Sequence, residues 1–156
     1  MSPHDFPLAL FRPPIVLVVE DRPSLRSPTN RLVGMLGYEV RRARTGNQAL
    51  TLVRHHPGLF DLVLTNVLLP DVDGGDFVKH LGTEEPGLRV AWIAEYAPVG
   101  RAAELIAANP DITVVRKPFG FRELRDALLP LIGPPRAAVP LADSRSPRRR
   151  ARRLLR

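Results

Sequence analysis

Five short apolar runs recur along the chain, separated by segments whose apolar residues return at helical spacing. Ile15-Val16-Leu17-Val18-Val19 is continuous and β-rich, without alternation. A strand buried on both faces of a parallel sheet reads this way. It ends in two acids, Glu20-Asp21. Tyr38 to Ala43 is a second strand, and Phe60 to Thr65 a third that ends at Asn66. Leu88 to Ala94 and Ile112 to Val115 complete the set. Between them, helices are predicted over about 28–36, 45–55, 75–81, 99–108 and 121–132. Pro28 decides where the first begins. Inside a helix starting near Pro23 it would cost roughly 3 kcal/mol. With Ser27 as N-cap and Pro28 at the first helical position, that cost vanishes. Gly37 stops this helix, and Asn109-Pro110 stops the fourth. Leu124, Ala127, Leu128 and Leu131 give the last helix one apolar stripe.

Strands alternating with helices predict an α/β fold: a doubly wound, five-stranded parallel sheet of strand order 2-1-3-4-5, flavodoxin-like. Functional groups in such sheets gather where the strands end. That rule singles out Glu20, Asp21, Asn66, Ala94 and Lys117.

Charge divides the chain. Residues 133–156 hold eight arginines and one acid, Asp143, while residues 1–132 hold 15 basic and 15 acidic residues. The expected organisation is an irregular, proline-containing lead-in over 1–13, a neutral domain over 14–132, and a Pro/Arg-rich basic tail over 133–156. The tail carries Arg148, Arg149, Arg150, Arg152 and Arg153 and no aromatics. Such a composition buries little apolar surface and is expected to be disordered in isolation. Only Lys79 and Lys117 are lysines. Arginine bias of that kind accompanies GC-rich coding, so arginine abundance alone does not identify a nucleic-acid binder.

The chain has no cysteine, which excludes disulfides, thiol catalysis and cysteine-held metal centres. Its four histidines show no metal-ligand spacing. No apolar run approaches the roughly 18 residues of a membrane helix. The first residues show no signal peptide. The expectation is a cytoplasmic protein without membrane contact.

Four segments in order carry a resemblance. They are Val18-Val19-Glu20-Asp21, Gly37-Tyr38-Glu39-Val40, the run from Asp61 to Gly74 through Asn66-Val67-Leu68-Leu69-Pro70, and Lys117-Pro118-Phe119. Over about 14–132 the chain resembles the receiver domain of two-component response regulators. The resemblance implies a pocket in which acids after the first strand and an aspartate ending the third hold one Mg²⁺. That aspartate attacks a phosphoryl donor. A Ser/Thr ending the fourth strand and the Lys after the fifth contact the phosphoryl oxygens. An aromatic near that Lys turns inward when the Ser/Thr moves. The resemblance also implies a cis bond at Lys117-Pro118.

This chain departs from the pattern where the chemistry occurs. The phosphoacceptor position is Asn66, whose amide is a poor nucleophile and carries no charge. The Ser/Thr position is Ala94, without a hydroxyl. The switch-aromatic position falls near Val114. Glu20 and Asp21 leave at most a weak Mg²⁺ site, and no cofactor is required. Lys117 is expected to balance Glu20 or Asp21. Thr65 should point away from the pocket by strand alternation, and Asp71 and Asp73 read as turn formers. The helix at 99–108 is apolar on more than one face, from core packing or from a partner or dimer surface.

The resulting expectation is a stand-alone pseudo-receiver, not an enzyme, acting as a protein-interaction module in two-component signalling. Its partner would be a histidine kinase or another regulator, with a homodimer as a further possibility. The alternative is a phosphorylation-independent regulator whose arginine tail binds nucleic acid.

Overall fold

The computed structural model describes residues 12–21 and 27–135. Strands β1 (Ile15–Val19), β2 (Glu39–Ala43), β3 (Leu62–Asn66), β4 (Arg89–Ala94) and β5 (Thr113–Arg116) alternate with helices α1 (Pro28–Met35), α2 (Gly46–His55), α3 (Gly74–Glu84), α4 (Gly100–Ala108) and α5 (Phe121–Ile132). The strands form one parallel sheet in the order β2-β1-β3-β4-β5. This is the α/β architecture expected from the sequence. All five residues of β1 are buried, as its unbroken apolar run requires at the middle of a sheet covered on both faces.

Alternation sorts each strand between two layers. Val16, Val18, Leu62, Leu64, Ile93 and Val115 pack against Val33 and Leu36 of the first helical segment and Leu124 and Leu128 of α5. Leu17, Val19 and Val63 point the other way, onto Ala49, Leu50 and Val53 of α2 and Phe77 and Leu81 of α3. A smaller cluster on that second face joins Trp92 and Ala94 of β4 to Val67 and Leu105 of α4.

Most boundaries differ from expectation by a residue or two. β3 begins at Leu62, not Phe60, because the Asp61 carboxylate accepts the Ile15 amide at 2.7 Å and pairs with Arg12 at 3.0 Å, which holds the chain in a turn. α3 continues beyond residue 81 to Glu84, where Thr83 donates to the Lys79 carbonyl and Arg54 of α2 grips the Glu84 carboxylate at 2.8 Å. Pro28 does open α1 with Ser27 before it, but the Ser27 hydroxyl caps nothing. It donates instead to Glu20. α5 accommodates Pro130 in its last turn.

Candidate functional site

Parallel pairing brings the carboxyl ends of β1, β3, β4 and β5 to one edge. Val19 pairs in register with Thr65, Asn66 with Ile93, and Ala94 with Arg116. The residues just past these ends therefore meet. Glu20, Asp21, Asn66, Ala94 and Lys117 line one cavity of about 350 Å³. Backbone bonds fix its walls: the Glu20 amide donates to the Ala43 carbonyl at 3.0 Å, and the Lys117 amide to the Ala94 carbonyl at 2.8 Å. The Lys117–Pro118 bond is cis.

The side chains are not wired as the sequence suggested. Lys117 pairs with Glu95, Nζ to Oε1 3.7 Å, rather than with Glu20 or Asp21. The reason is local. Glu95 directly follows Ala94, whose carbonyl already holds the Lys117 backbone, so its carboxylate is the nearest acid. Both side chains are largely exposed, so the pair contributes little to stability. Glu20 takes the Ser27 hydroxyl, which ties the acidic end of β1 to the start of α1.

Asn66 stands half-buried at the end of β3 and Ala94 is buried at the end of β4. Nothing at Ala94 donates a hydrogen bond into the cavity from its side chain. Thr65 is fully buried, lies outside the cavity lining, and donates to the Asn66 carbonyl at 3.1 Å. Val114 lies beside the fully buried Trp92 in the β4–β5 register.

The donor set does not fit a tightly held Mg²⁺. That ion wants several hard oxygens in near-octahedral geometry. Only two carboxylates follow β1, one already engaged by Ser27, and the third family position is a neutral amide. Among the described residues no group of three acidic or histidine side chains gathers anywhere.

Two acids near the cavity serve the backbone. Asp71 accepts from the Gly46 and Asn47 amides at 3.0 and 2.9 Å, at the start of α2. Asp73 caps α3, accepting from the Gly75 amide at 2.9 Å and the Asp76 amide at 3.3 Å. Arg101 of α4 forks onto the same carboxylate, Nε to Oδ2 2.9 Å and Nη2 to Oδ1 3.1 Å. That hydrogen-bonded guanidinium, helped by the two backbone amides, holds the Asp73 carboxyl below its ordinary range. Sequence reading missed Ser27, Glu95 and Arg101 as partners. Asp73, three residues before an acidic Asp76 at a helix start, carried a capping signal that the turn-former reading passed over.

Gly74 is required here by space. A Cβ on it would stand 2.2 Å from the Val67 carbonyl oxygen. On α4 only Leu105 is buried, and beside it Tyr96 and Val99 are 76% and 80% exposed. The arginines 148–153 lie outside the described residues. No helix among the described residues is long and apolar enough to cross a membrane.

Comparison with known proteins agrees with this geometry. The transcriptional regulatory protein TcrX of Mycobacterium tuberculosis is 34% identical over 114 residues, 72% of this chain and 47% of that protein. The sporulation initiation phosphotransferase F of Bacillus subtilis is 31% identical over 114 residues, 72% of this chain and 89% of that protein. Some curated relatives are far longer, and the chain spans only 11% to 47% of three of them. The crystal structure of a response regulator receiver domain protein from Clostridium thermocellum superposes with a TM-score of 0.66 at 21% identity, covering 76% of this chain and 94% of that one, which speaks to the fold. Residues 16–129 match the response regulator receiver domain. The chain therefore belongs to the response regulator receiver domain family of two-component signalling.

Proposed function

We propose that this chain is a pseudo-receiver: a receiver domain that keeps the family fold and has lost the phosphoryl switch. The observation that carries the reading is the coincidence of three changes in one cavity. The residue ending β3 is Asn66, the residue ending β4 is Ala94, and Lys117 turns to Glu95. An amide oxygen does not form an acyl phosphate under conditions in which a carboxylate does. Without a hydroxyl at Ala94, a phosphoryl group would gain no hydrogen bond there. With Val114 beside Trp92, no aromatic ring occupies the position that reports such a bond to the surface. Glu20 and Asp21 hold Mg²⁺ weakly, and no cofactor is required.

On this reading the domain is not an enzyme and works by binding. Its partner is a signalling protein of a two-component pathway, a histidine kinase or another regulator, and it acts in the cytoplasm. The domain proper covers 14–132, with the lead-in before it and the basic tail after it.

Intact mass after incubation with Mg²⁺ and acetyl phosphate tests the reading, beside an Asn66→Asp variant. The expected result is no mass gain in the parent and slow or partial gain in the variant, because Ala94 still offers no hydroxyl. A single phosphoryl adduct on the parent overturns the reading.

A further inference from the structure

The cavity at the strand ends is only half polar. Opposite Glu20, Asp21 and Asn66 in its lining stand Val67, Ala97, Pro98, Val99 and Ala102. Val67 is buried, whereas Val99 is 80% exposed and Leu68, in the same lining, is 55% exposed. The apolar wall therefore reaches from the packed interior to solvent. Its volume of about 350 Å³ lies at the small end of the range for ligand pockets, ~300–1,000 Å³.

Val99 runs against the needs of its own helix. It is the N-cap residue of α4 and makes no side-chain bond there. Ser, Thr, Asp or Asn at that position would satisfy a free amide of the first turn. Core packing does not account for the choice, because the side chain is largely in water. The position gives up a cap and adds apolar surface to the cavity.

The polar half carries unbalanced charge. Lys117 and Glu95 pair with each other and cancel. Glu20 and Asp21 pair with no cation among the described residues. Ser27 takes one oxygen of Glu20 and leaves the other. A divalent ion asks for more hard oxygens than remain. A primary ammonium asks for less: it has one charge, three N–H donors and no acceptor. Glu20, Asp21 and the amide oxygen of Asn66 offer acceptors on three residues. An anion would meet the same carboxylates as repulsion.

We propose that this cavity binds a small primary amine with an apolar body, its ammonium held by Glu20, Asp21 and Asn66 and its body laid along Val67, Pro98, Val99 and Ala102. This rests on the pseudo-receiver reading, in which neither a phosphoryl group nor Mg²⁺ competes for the same space. The exposed side chains of Leu68 and Val99 offer no hydrogen bond to a peptide backbone, which favours a free amine over the lysine of a partner protein.

Titration of the full chain with hexylamine, followed by calorimetry and by Trp92 emission, tests the proposal. Trp92 is the sole tryptophan and packs in one cluster with Val67, Ala94 and Ala102 of the lining, so its emission reports occupancy. Hexylamine should bind. Methylamine, with almost no body to bury, should bind at least about tenfold more weakly. Hexanol, with no charge, should lose about as much, and hexanoate should not bind. Asp21→Asn should weaken hexylamine about tenfold, and Glu20→Gln with Asp21→Asn should weaken it further. Asp21 is exposed, so the single variant decides the matter should the double variant fail to fold. Val99→Ser, which restores a helix cap, should weaken hexylamine about threefold and leave methylamine unchanged. Asp111→Asn, which removes equal charge from an exposed position before β5, should leave affinity within about twofold. Four outcomes overturn the proposal: no binding of hexylamine by the parent, equal binding of hexylamine and hexanol, an Asp21→Asn variant that binds like the parent, or tighter binding of Mg²⁺ or of Nα-acetyl-lysine methylamide than of hexylamine. Failure of the pseudo-receiver reading looks different: a phosphoryl adduct on the parent by intact mass, whether or not hexylamine binds.

Discussion

Helices α3 and α4 lie side by side on one face of the sheet and are held in different ways. α3 buries Gly74, Phe77 and Leu81, and the Asp73 carboxylate caps its first turn. α4 buries Leu105 alone, and its N-cap residue, Val99, makes no side-chain bond. What secures the start of α4 is Arg101 reaching across to Asp73. One carboxylate therefore caps the strong helix and tethers the weak one. The core under α2 and α3 shares no residue with the lining of the cavity at the strand ends, so that core does not depend on the groups lining the cavity. The element bordering that cavity is the one with the fewest buried contacts, and such elements open most easily.

Truncating each helix's main anchor sharpens the contrast most. Phe77→Ala should cost about 3–5 kcal/mol of global stability in urea unfolding, because a fully buried ring leaves a cavity between α3 and the sheet. Leu105→Ala should cost about 2 kcal/mol, the low end for such changes, because the neighbouring Ala102 and Ile106 are only partly buried. Amide exchange should then quicken along α4 while α3 stays protected. Equal losses from the two substitutions would break the contrast.

A smaller effect isolates the tether. Arg101→Ala should leave urea unfolding nearly unchanged, since the fork is largely exposed. It should speed amide exchange in the first turn of α4 and spare the first turn of α3, which keeps its Asp73 cap. If α3 loosens as well, the carboxylate depends on Arg101 for its position.

The smallest effect is the pH dependence. Arg101 holds the Asp73 carboxyl below its ordinary range. Stability from a depressed carboxylate is complete above the unfolded pKa and is lost as pH falls through the folded value. Protection of α4 amides should therefore be flat above the usual carboxylate range and decline in stronger acid. In Arg101→Ala this acid decline should disappear from α4, which no longer meets Asp73, while the first turn of α3 should lose protection from a higher pH as Asp73 moves back toward its ordinary value. Identical acid profiles in the two proteins would separate the fork from the stability of α4.

Much of this was legible before any coordinates. The β1 run is apolar and β-rich without alternation, and only a central strand uses such a sequence. Glu20-Asp21, Asn66 and Lys117 mark three strand ends by breaking the apolar pattern, and they share one cavity with Ala94, the last apolar residue of β4. Partners across the fold were not legible. Arg101 and Asp73 are 28 residues apart, and nothing along the chain says that α4 begins beside the cap of α3. Ser27 read as a helix cap, its commonest use, yet the sheet sets Glu20 within reach of its hydroxyl and the hydroxyl goes there.

The alternation of strands with helices and the groups that Asn66 and Ala94 lack were determined by sequence, because periodicity selects the element types and a residue's functional groups do not depend on its neighbours. The order of the strands, the acid that Lys117 meets, and the bond from the Tyr38 hydroxyl to the Gly133 carbonyl were decided by tertiary structure. All three depend on a few ångströms of separation between residues from different elements, and those distances exist only once the sheet and its helices have packed.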